Sequence, residues 1–97
     1  MCIRDRTEAM RIAAIASANH ILLAPHLWGG ALMFAAGLQV CAASPAAHII
    51  EYSLGANPIL FELAEQGPVL NDGMVEIPDR PGLGVKINYD FVGKYTV

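Results

Sequence analysis

Charge is missing from much of this 97-residue chain: no Asp, Glu, Lys or Arg occurs between Arg11 and Glu51. A small domain that folds alone needs a charged surface, and this stretch does not supply one. Apolar residues make up 55% of the chain, above the usual share of about 45–50%. The uncharged stretch therefore either lies in a membrane or is buried against other protein.

Basic residues and cysteines are also few. The six Lys and Arg residues are scattered and form no stripe that would follow a phosphate backbone, so the sequence predicts no nucleic-acid partner. Cys2 and Cys41 are far apart and follow no metal-binding or redox spacing. Cys41 lies in an apolar run and is predicted to be a small core residue.

A long uninterrupted apolar run is absent as well. A membrane-spanning helix needs about 20 apolar residues, and the best candidate, residues 27–43, is bordered by Pro25 and His26 and contains Gly29 and Gly30. Its flanks lack the Lys/Arg bias that orients membrane helices. A small non-enzymatic membrane protein with one or two apolar helices is the alternative to a buried α/β unit, and partitioning into bilayers would separate the two.

The remaining pattern predicts alternating helices and strands. Thr7 can cap a helix over about 8–18, and a second helix follows over about 30–43. ILLAP at 21–25 and HIIEY at 48–52 are short apolar runs, typical of strands buried on both faces of a parallel sheet. The order of elements therefore predicts an α/β fold with parallel strands joined by a helical crossover.

The character changes after residue 52. Asn57-Pro58 is typical of a helix start, and the helix is expected to continue until Gly67. Asn71-Asp72-Gly73 predicts a β-hairpin, and the alternation in GVKINY, at 84–89, predicts a half-exposed strand. The hairpin and this strand form a small C-terminal β appendage.

The first six residues, MCIRDR, resemble a translated adapter-derived leader. We therefore expect three segments. They are a non-native leader at 1–6, an α/β body at 7–66 and a tail at 67–97.

Two ionisable residues stand at matching places on the predicted strands. His26 follows the first run and Glu51 lies near the end of the second. Because barrels of alternating strands and helices carry catalytic side chains at the carboxyl ends of their strands, we predict that these two residues share a site. The alternatives are that His26 is a seam residue, hydrogen-bonded between two apolar segments and without a catalytic role, and that Glu51 is a solvated loop residue.

Other polar or aromatic candidates have simpler interpretations. His20 is predicted to lie at the C-terminal end of a helix, where the helix dipole favours it. His48 is predicted to have a structural role at the start of a strand. The spacing of the histidines does not indicate a three-histidine metal site. Trp28 is expected to pack rather than to line a pocket.

The pattern PHLWGGALMFAAGLQVCAASPAAHIIEY, followed by NPILFEL and GMVEIPDRPGLGVKIN, resembles the C-terminal end of the mandelate racemase branch of the enolase superfamily. The resemblance runs from about Thr7 to Val97, and its most specific piece is IPD-x-PGLGV near the terminus. It implies the last strands and helices of a (β/α)7β TIM-like barrel, incomplete in this chain, with 21–25 and 48–52 as the last two strands. The tail would pack on an N-terminal α+β capping domain.

The same resemblance implies roles for the two site residues. His26 falls on the family's general base, which removes a proton α to a carboxylate, and Glu51 falls on a residue that hydrogen-bonds the substrate carboxylate or enediolate. The cofactor would be Mg²⁺, with ligands upstream of residues 7–97. We therefore expect a chain that is inactive alone.

The resemblance also implies what the whole enzyme does. It would be a cytoplasmic, homo-oligomeric dehydratase or racemase/epimerase that acts on a hydroxy acid or acid sugar. A small carboxylate would be its substrate, with no nucleic-acid or membrane partner.

Overall fold

The computed structural model describes residues 5–96, in which four helices and one two-stranded hairpin form. The elements are α1 (Arg6–Ala18), α2 (Ala31–Ala43), α3 (Pro58–Phe61), β1 (Leu70–Asn71), β2 (Met74–Val75) and α4 (Tyr89–Gly93). The two long helices, α1 and α2, stand where the sequence predicts them. Cys2 lies outside the described residues.

The N-cap of α1 differs from the prediction. Asp5 is the cap, and its carboxylate accepts a hydrogen bond of 3.1 Å from the Glu8 N–H. The prediction that Thr7 caps this helix is wrong, because Asp5 already satisfies the free N–H group and aspartate is a somewhat better cap than threonine. That residues 1–6 are a leader stays a prediction, since residues 1–4 are outside the described part.

The C-terminus of α1 is closed by a turn that needs a left-handed residue. Asn19 is the C-cap, and His20 follows with φ of 56°. The Ile21 N–H donates to the Ala16 carbonyl and the His20 N–H to the Ser17 carbonyl, which together form a Schellman motif. His20 therefore ends the helix, and its side chain is exposed.

The chain pairs in parallel at the two apolar runs through a single bridge, whose second residue, Ala47, lies just before the run at 48–52. Leu23 pairs with Ala47, and its N–H and C=O make backbone hydrogen bonds of 2.7 and 3.1 Å to the partner segment. The predicted direction is confirmed, whereas regular strands over 21–25 and 48–52 do not form in the described chain. Two short segments without a third neighbour are too little to sustain a regular sheet.

The core lies between α2, α3 and the segment that precedes α2. Leu27, Phe34 and Leu60 are buried together, and Leu60 is only 1% exposed. The ring of Tyr52 meets Phe34 edge to face with centroids 5.7 Å apart, a favoured aromatic geometry. The Tyr52 hydroxyl donates to the Pro68 carbonyl at 2.9 Å, which fastens the tail to the body.

Helix α3 is shorter than predicted. The turn starts as expected at Asn57-Pro58 but ends at Phe61 instead of reaching Gly67. Helix α3 ends early because of a tertiary contact: Ala64 forms an antiparallel bridge with Ile87 in the tail. That pairing requires extended backbone where the local pattern indicates helix.

In the tail, the predicted hairpin forms, whereas the C-terminal part differs from the prediction. Strands β1 and β2 pair around Asp72 and Gly73, whose φ values of 48° and 75° are those of a type I′ turn. The predicted strand at 84–89 is reduced to the bridge at Ile87. Helix α4 follows and was not predicted, although Asn88 caps it as an ordinary N-cap residue.

Helix α2 has 13 residues. In the part of the chain that the structure describes, no helix is both long enough and apolar enough to cross a bilayer.

Apolar side chains around the parallel bridge are exposed, and this predicts self-association. Ile21 and Ile49 are each 61% exposed, and open strand edges with apolar neighbours promote pairing with other chains. We expect the isolated chain to sediment as concentration-dependent oligomers or to be incompletely folded. Lysine at both positions should shift it towards monomer, whereas Ile12→Lys on α1 should not. Sharp melting of a wild-type monomer at low concentration would contradict this prediction.

Candidate active site

His26 and Glu51 come together at one end of the parallel pair. Both follow the bridging residues along the chain, and the distance from His26 Nε2 to Glu51 Oε2 is 3.8 Å. This is too long for a hydrogen bond but within ion-pair range when the imidazole is protonated. The predicted proximity is confirmed, while the catalytic roles of the two residues stay a prediction.

Glu51 also holds the backbone next to His26. The Leu27 N–H donates to Glu51 Oε2 at 2.9 Å, so the same oxygen faces both the imidazole and the following peptide group. The Glu51 side chain is 44% exposed. One carboxylate oxygen is therefore structural, and the carboxyl group still reaches the surface.

The His26 imidazole is open to a ligand, with 77% of its side chain exposed. Imidazole takes up and releases protons near neutral pH. A neighbouring carboxyl group can hydrogen-bond the same ligand. The pair can therefore move a proton at one face of a small molecule and bind a polar group beside it.

Residues 26–30, which we call the strap, run from the site to the start of α2. The Leu27 side chain is buried against Gly37, where a Cβ atom would overlap its methyl groups. The Gly29 carbonyl accepts a hydrogen bond of 3.0 Å from Asn57 Nδ2. The contacts of Gly37 and Asn57 with the strap cannot be predicted from the sequence, because a glycine inside a helix and a helix cap carry no sign of a long-range contact.

The other candidates stay apart from this pair. The side chains of His20 and His48 are exposed, and the His48 N–H donates to the Leu23 carbonyl, which is the structural role predicted for it. Trp28 is 64% exposed, so the packing predicted for it does not form within the described chain. Its indole lies two residues after His26 in the strap.

The described residues do not form a magnesium site. Within 5–96 there is no group of three or more His, Cys, Asp or Glu side chains that could hold a metal ion. Mg²⁺ takes near-octahedral oxygen coordination, and the site pair offers one carboxylate, Glu51, beside an imidazole. This donor set does not fit the ion by itself.

Cys41 is free and half-buried on α2. Burial raises the pKa of the Cys41 thiol above its ordinary value. Since the thiolate is the reactive form, this shift makes the thiol less reactive. The predicted core position is met only in part, because Cys41 is half-buried.

A groove of about 590 Å³ lies elsewhere, between α2 and the tail. Phe34, Leu38 and Val85 line its apolar part, and Arg80 and Lys86 line its polar part. Neither member of the site pair borders this groove. The candidate site is therefore the open strand-end surface and not the groove.

A strand–helix–strand connection with an imidazole and a carboxylate at adjacent parallel strand ends is typical of enzymes built on α/β barrels. Residues 5–91 match the enolase C-terminal domain-like family, and the chain belongs to that family. The structure is a small and partial α/β unit of this TIM-barrel family.

Two curated relatives are similar over most of the chain. The D-galactarolactone cycloisomerase of Agrobacterium fabrum is 32% identical over 99 residues, which cover 94% of this chain and 26% of the relative. The D-xylonate dehydratase of Haloferax volcanii is 31% identical over 90 residues, which cover 93% and 22%. The chain thus spans about a quarter of the length of these enzymes, and they do not support the alternative of a membrane protein.

Solved structures share the fold. A Bordetella bronchiseptica RB50 protein, provisionally named a mandelate racemase and complexed with 2-oxoglutarate/phosphate, superposes with a TM-score of 0.87 at 35% identity. That match covers 95% of this chain and 24% of the other. A mandelate racemase/muconate lactonizing enzyme from Sulfitobacter sp. has a TM-score of 0.79 at 28% identity, with 89% and 21% covered.

Proposed function

We propose that this chain supplies the base and a substrate-binding carboxyl group of an enolase-superfamily enzyme. The reaction would remove the proton α to the carboxylate of a hydroxy acid or acid sugar. The observation that carries the proposal is the 3.8 Å approach of His26 Nε2 to Glu51 Oε2 at adjacent strand ends. The names of the relatives, a cycloisomerase and dehydratases of sugar acids, support this substrate class.

His26 would take the α-proton onto its imidazole. The side chain suits this role because it is exposed and because its neighbour, Leu27, is buried and hydrogen-bonded. A base must stand within about 2.6–3.2 Å of the proton-bearing atom, which an open imidazole on an anchored backbone can satisfy. The strap would therefore hold the base while the ring stays free to meet substrate.

Glu51 would hydrogen-bond the carboxylate or the enediolate that forms from it. A carboxyl group that donates to an anionic oxygen must carry a proton on the donating atom. Oε2 already accepts from the Leu27 N–H, so Oε1 is the atom that would donate. This divides the carboxyl group between a structural and a substrate-facing oxygen.

The charge that develops in this reaction needs more than the two residues supply. An α-proton of a carboxylate is a very weak acid, and the enediolate has to be stabilised by donors or a metal ion. Mg²⁺ would supply that stabilisation in the full-length enzyme, and its ligands would lie upstream of residues 7–97.

The finer architecture is also part of the proposal. The runs at 21–25 and 48–52 would be the last two strands of a (β/α)7β barrel, and the tail at 67–97 would pack on a capping domain. The exposed isoleucines beside the bridge support this, because neighbouring strands would cover them. We also propose a cytoplasmic homo-oligomer as the working form.

The proposal is tested in the full-length enzyme, obtained by extending the reading frame upstream in genomic sequence. We expect exchange of the α-proton with D₂O for one or more sugar acids, followed by ¹H NMR. Loss of water to a 2-keto-3-deoxy acid would identify a dehydratase, and inversion at the α-carbon a racemase or epimerase. A folded, Mg²⁺-supplied enzyme that exchanges no α-proton across a panel of sugar acids would contradict the proposal.

The isolated 97-residue chain should bind no Mg²⁺ tightly, because its described residues hold no three-ligand cluster. Titration calorimetry at physiological Mg²⁺ should show no stoichiometric binding. The full-length enzyme, titrated in the same buffer, is the positive control. Tight one-to-one binding by the short chain would show that it carries a metal site of its own.

A further inference from the structure

Both polar atoms of the Asn57 side-chain amide make hydrogen bonds. Oδ1 accepts from the Leu60 N–H at 3.2 Å, which caps α3, and Nδ2 donates to the Gly29 carbonyl at 3.0 Å. The cap is local, whereas the second bond joins α3 to the strap across 28 positions of sequence. Asn57 therefore links α3, which follows the second apolar run, to the strap that begins with His26.

We propose that Asn57 is a positioning residue for the His26 base. It would act through the strap and not by touching substrate. The proposal rests on the proposed role of His26 in proton abstraction. This role goes beyond the helix cap that the Asn57-Pro58 pattern predicts.

The strap is also held near its start and at its end. Glu51 holds the Leu27 N–H, and the Leu27 side chain is seated at Gly37. Gly30, the N-cap of α2, accepts from the Phe34 N–H at 3.0 Å. The bond from Asn57 to the Gly29 carbonyl lies between these two points and ties the strap to α3.

The chemistry of the bond is specific to an amide. Aspartate caps a helix as well as asparagine does, but a carboxylate cannot donate to the Gly29 carbonyl. Serine also caps well, but its single hydroxyl hydrogen and shorter reach cannot serve both partners. Asn57→Asp and Asn57→Ser therefore keep the cap and remove the attachment, with and without an added charge.

The matched control is the other asparagine cap. Asn88 accepts from the Phe91 N–H at 3.1 Å at the start of α4, and within the described chain its side chain makes no hydrogen bond to the strap. Asn88→Asp changes the same residue type in the same capping role. It should leave the turnover number unchanged.

The test uses the full-length enzyme with a sugar acid that it turns over. A misplacement of about 1 Å can cost about 10²-fold in rate, so we expect both Asn57 variants to lower kcat by about 10–10²-fold with little change in KM. The primary isotope effect from α-deuterated substrate should rise, because proton transfer becomes slower relative to other steps. Melting temperatures should fall slightly below that of the Asn88→Asp control, because the part-buried Gly29 carbonyl loses its donor, so kcat is compared per folded molecule.

Two results would overturn the proposal. One is unchanged kcat and isotope effect in both variants. The other is a lowered melting temperature with normal kcat per folded molecule, which would make Asn57 purely structural. Failure of the proposed function is distinguishable, because His26→Asn would then leave α-proton exchange intact whatever the Asn57 variants do.

Discussion

His26→Asn in the full-length enzyme is expected to abolish exchange of the α-proton on one face of the substrate. Asparagine keeps the approximate size and polarity of histidine but cannot take up a proton near neutral pH. A positioned general base contributes about 10²–10⁴-fold to rate, so the loss should reach that range or the limit of detection. ¹H NMR in D₂O measures it for each stereoisomer separately.

His48→Asn is the matched control for this variant. Both imidazoles are exposed, and His48 contributes its backbone N–H to the parallel bridge, a contact that asparagine keeps. The control should retain normal exchange and normal stability. Wild-type exchange of both stereoisomers in His26→Asn would end the assignment of this residue as the base and leave it a seam residue.

Glu51 is expected to show two separable effects. Gln at this position keeps an oxygen that can accept from the Leu27 N–H and an NH2 group that can donate to the enediolate, while Ala loses both. Removing one group that stabilises a developing oxyanion costs about 10²–10³-fold in kcat, so Glu51→Ala should lose activity to that extent and Glu51→Gln should keep most of it. Only Glu51→Ala should also lose stability, by about 1–3 kcal/mol, because a part-buried N–H loses its acceptor.

Denaturant unfolding and the exchange assay, applied to both variants, separate the two effects. Glu62→Ala, an exposed glutamate just after α3, is the control and should change neither. If Glu51→Ala exchanges the α-proton at the wild-type rate per folded molecule, Glu51 is only a backbone anchor. If Glu51→Ala is as stable as Glu51→Gln, the anchoring role is wrong instead.

The elements that the sequence predicts well are those with signals inside a few residues. Helix α2 begins after Gly30 and ends at Ala43, close to the predicted bounds of about 30–43. The hairpin at Asp72-Gly73 follows from a turn type that requires positive φ at both positions. Such signals succeed because the capping and turn energies arise within the segment itself.

The failures have a common cause. The short length of α3, the bridge at Ile87 and the reduction of the two apolar runs to one parallel pair all depend on which segments meet across the fold. Periodicity describes what a segment prefers alone. It cannot state how many neighbours a strand finds, and the number of neighbours decides whether a sheet forms.

For the site, the sequence alone determined the two residues, the end of the fold where they meet and the parallel direction that brings them together. These follow from the alternation of strands and helices, because parallel strands place equivalent positions at one edge. Only the tertiary structure decided that Glu51 holds the Leu27 N–H, that Leu27 sits at Gly37 and that Asn57 holds Gly29. These contacts join residues 10 to 28 positions apart, and hydrogen bonds and close packing over such separations exist only once the chain has folded.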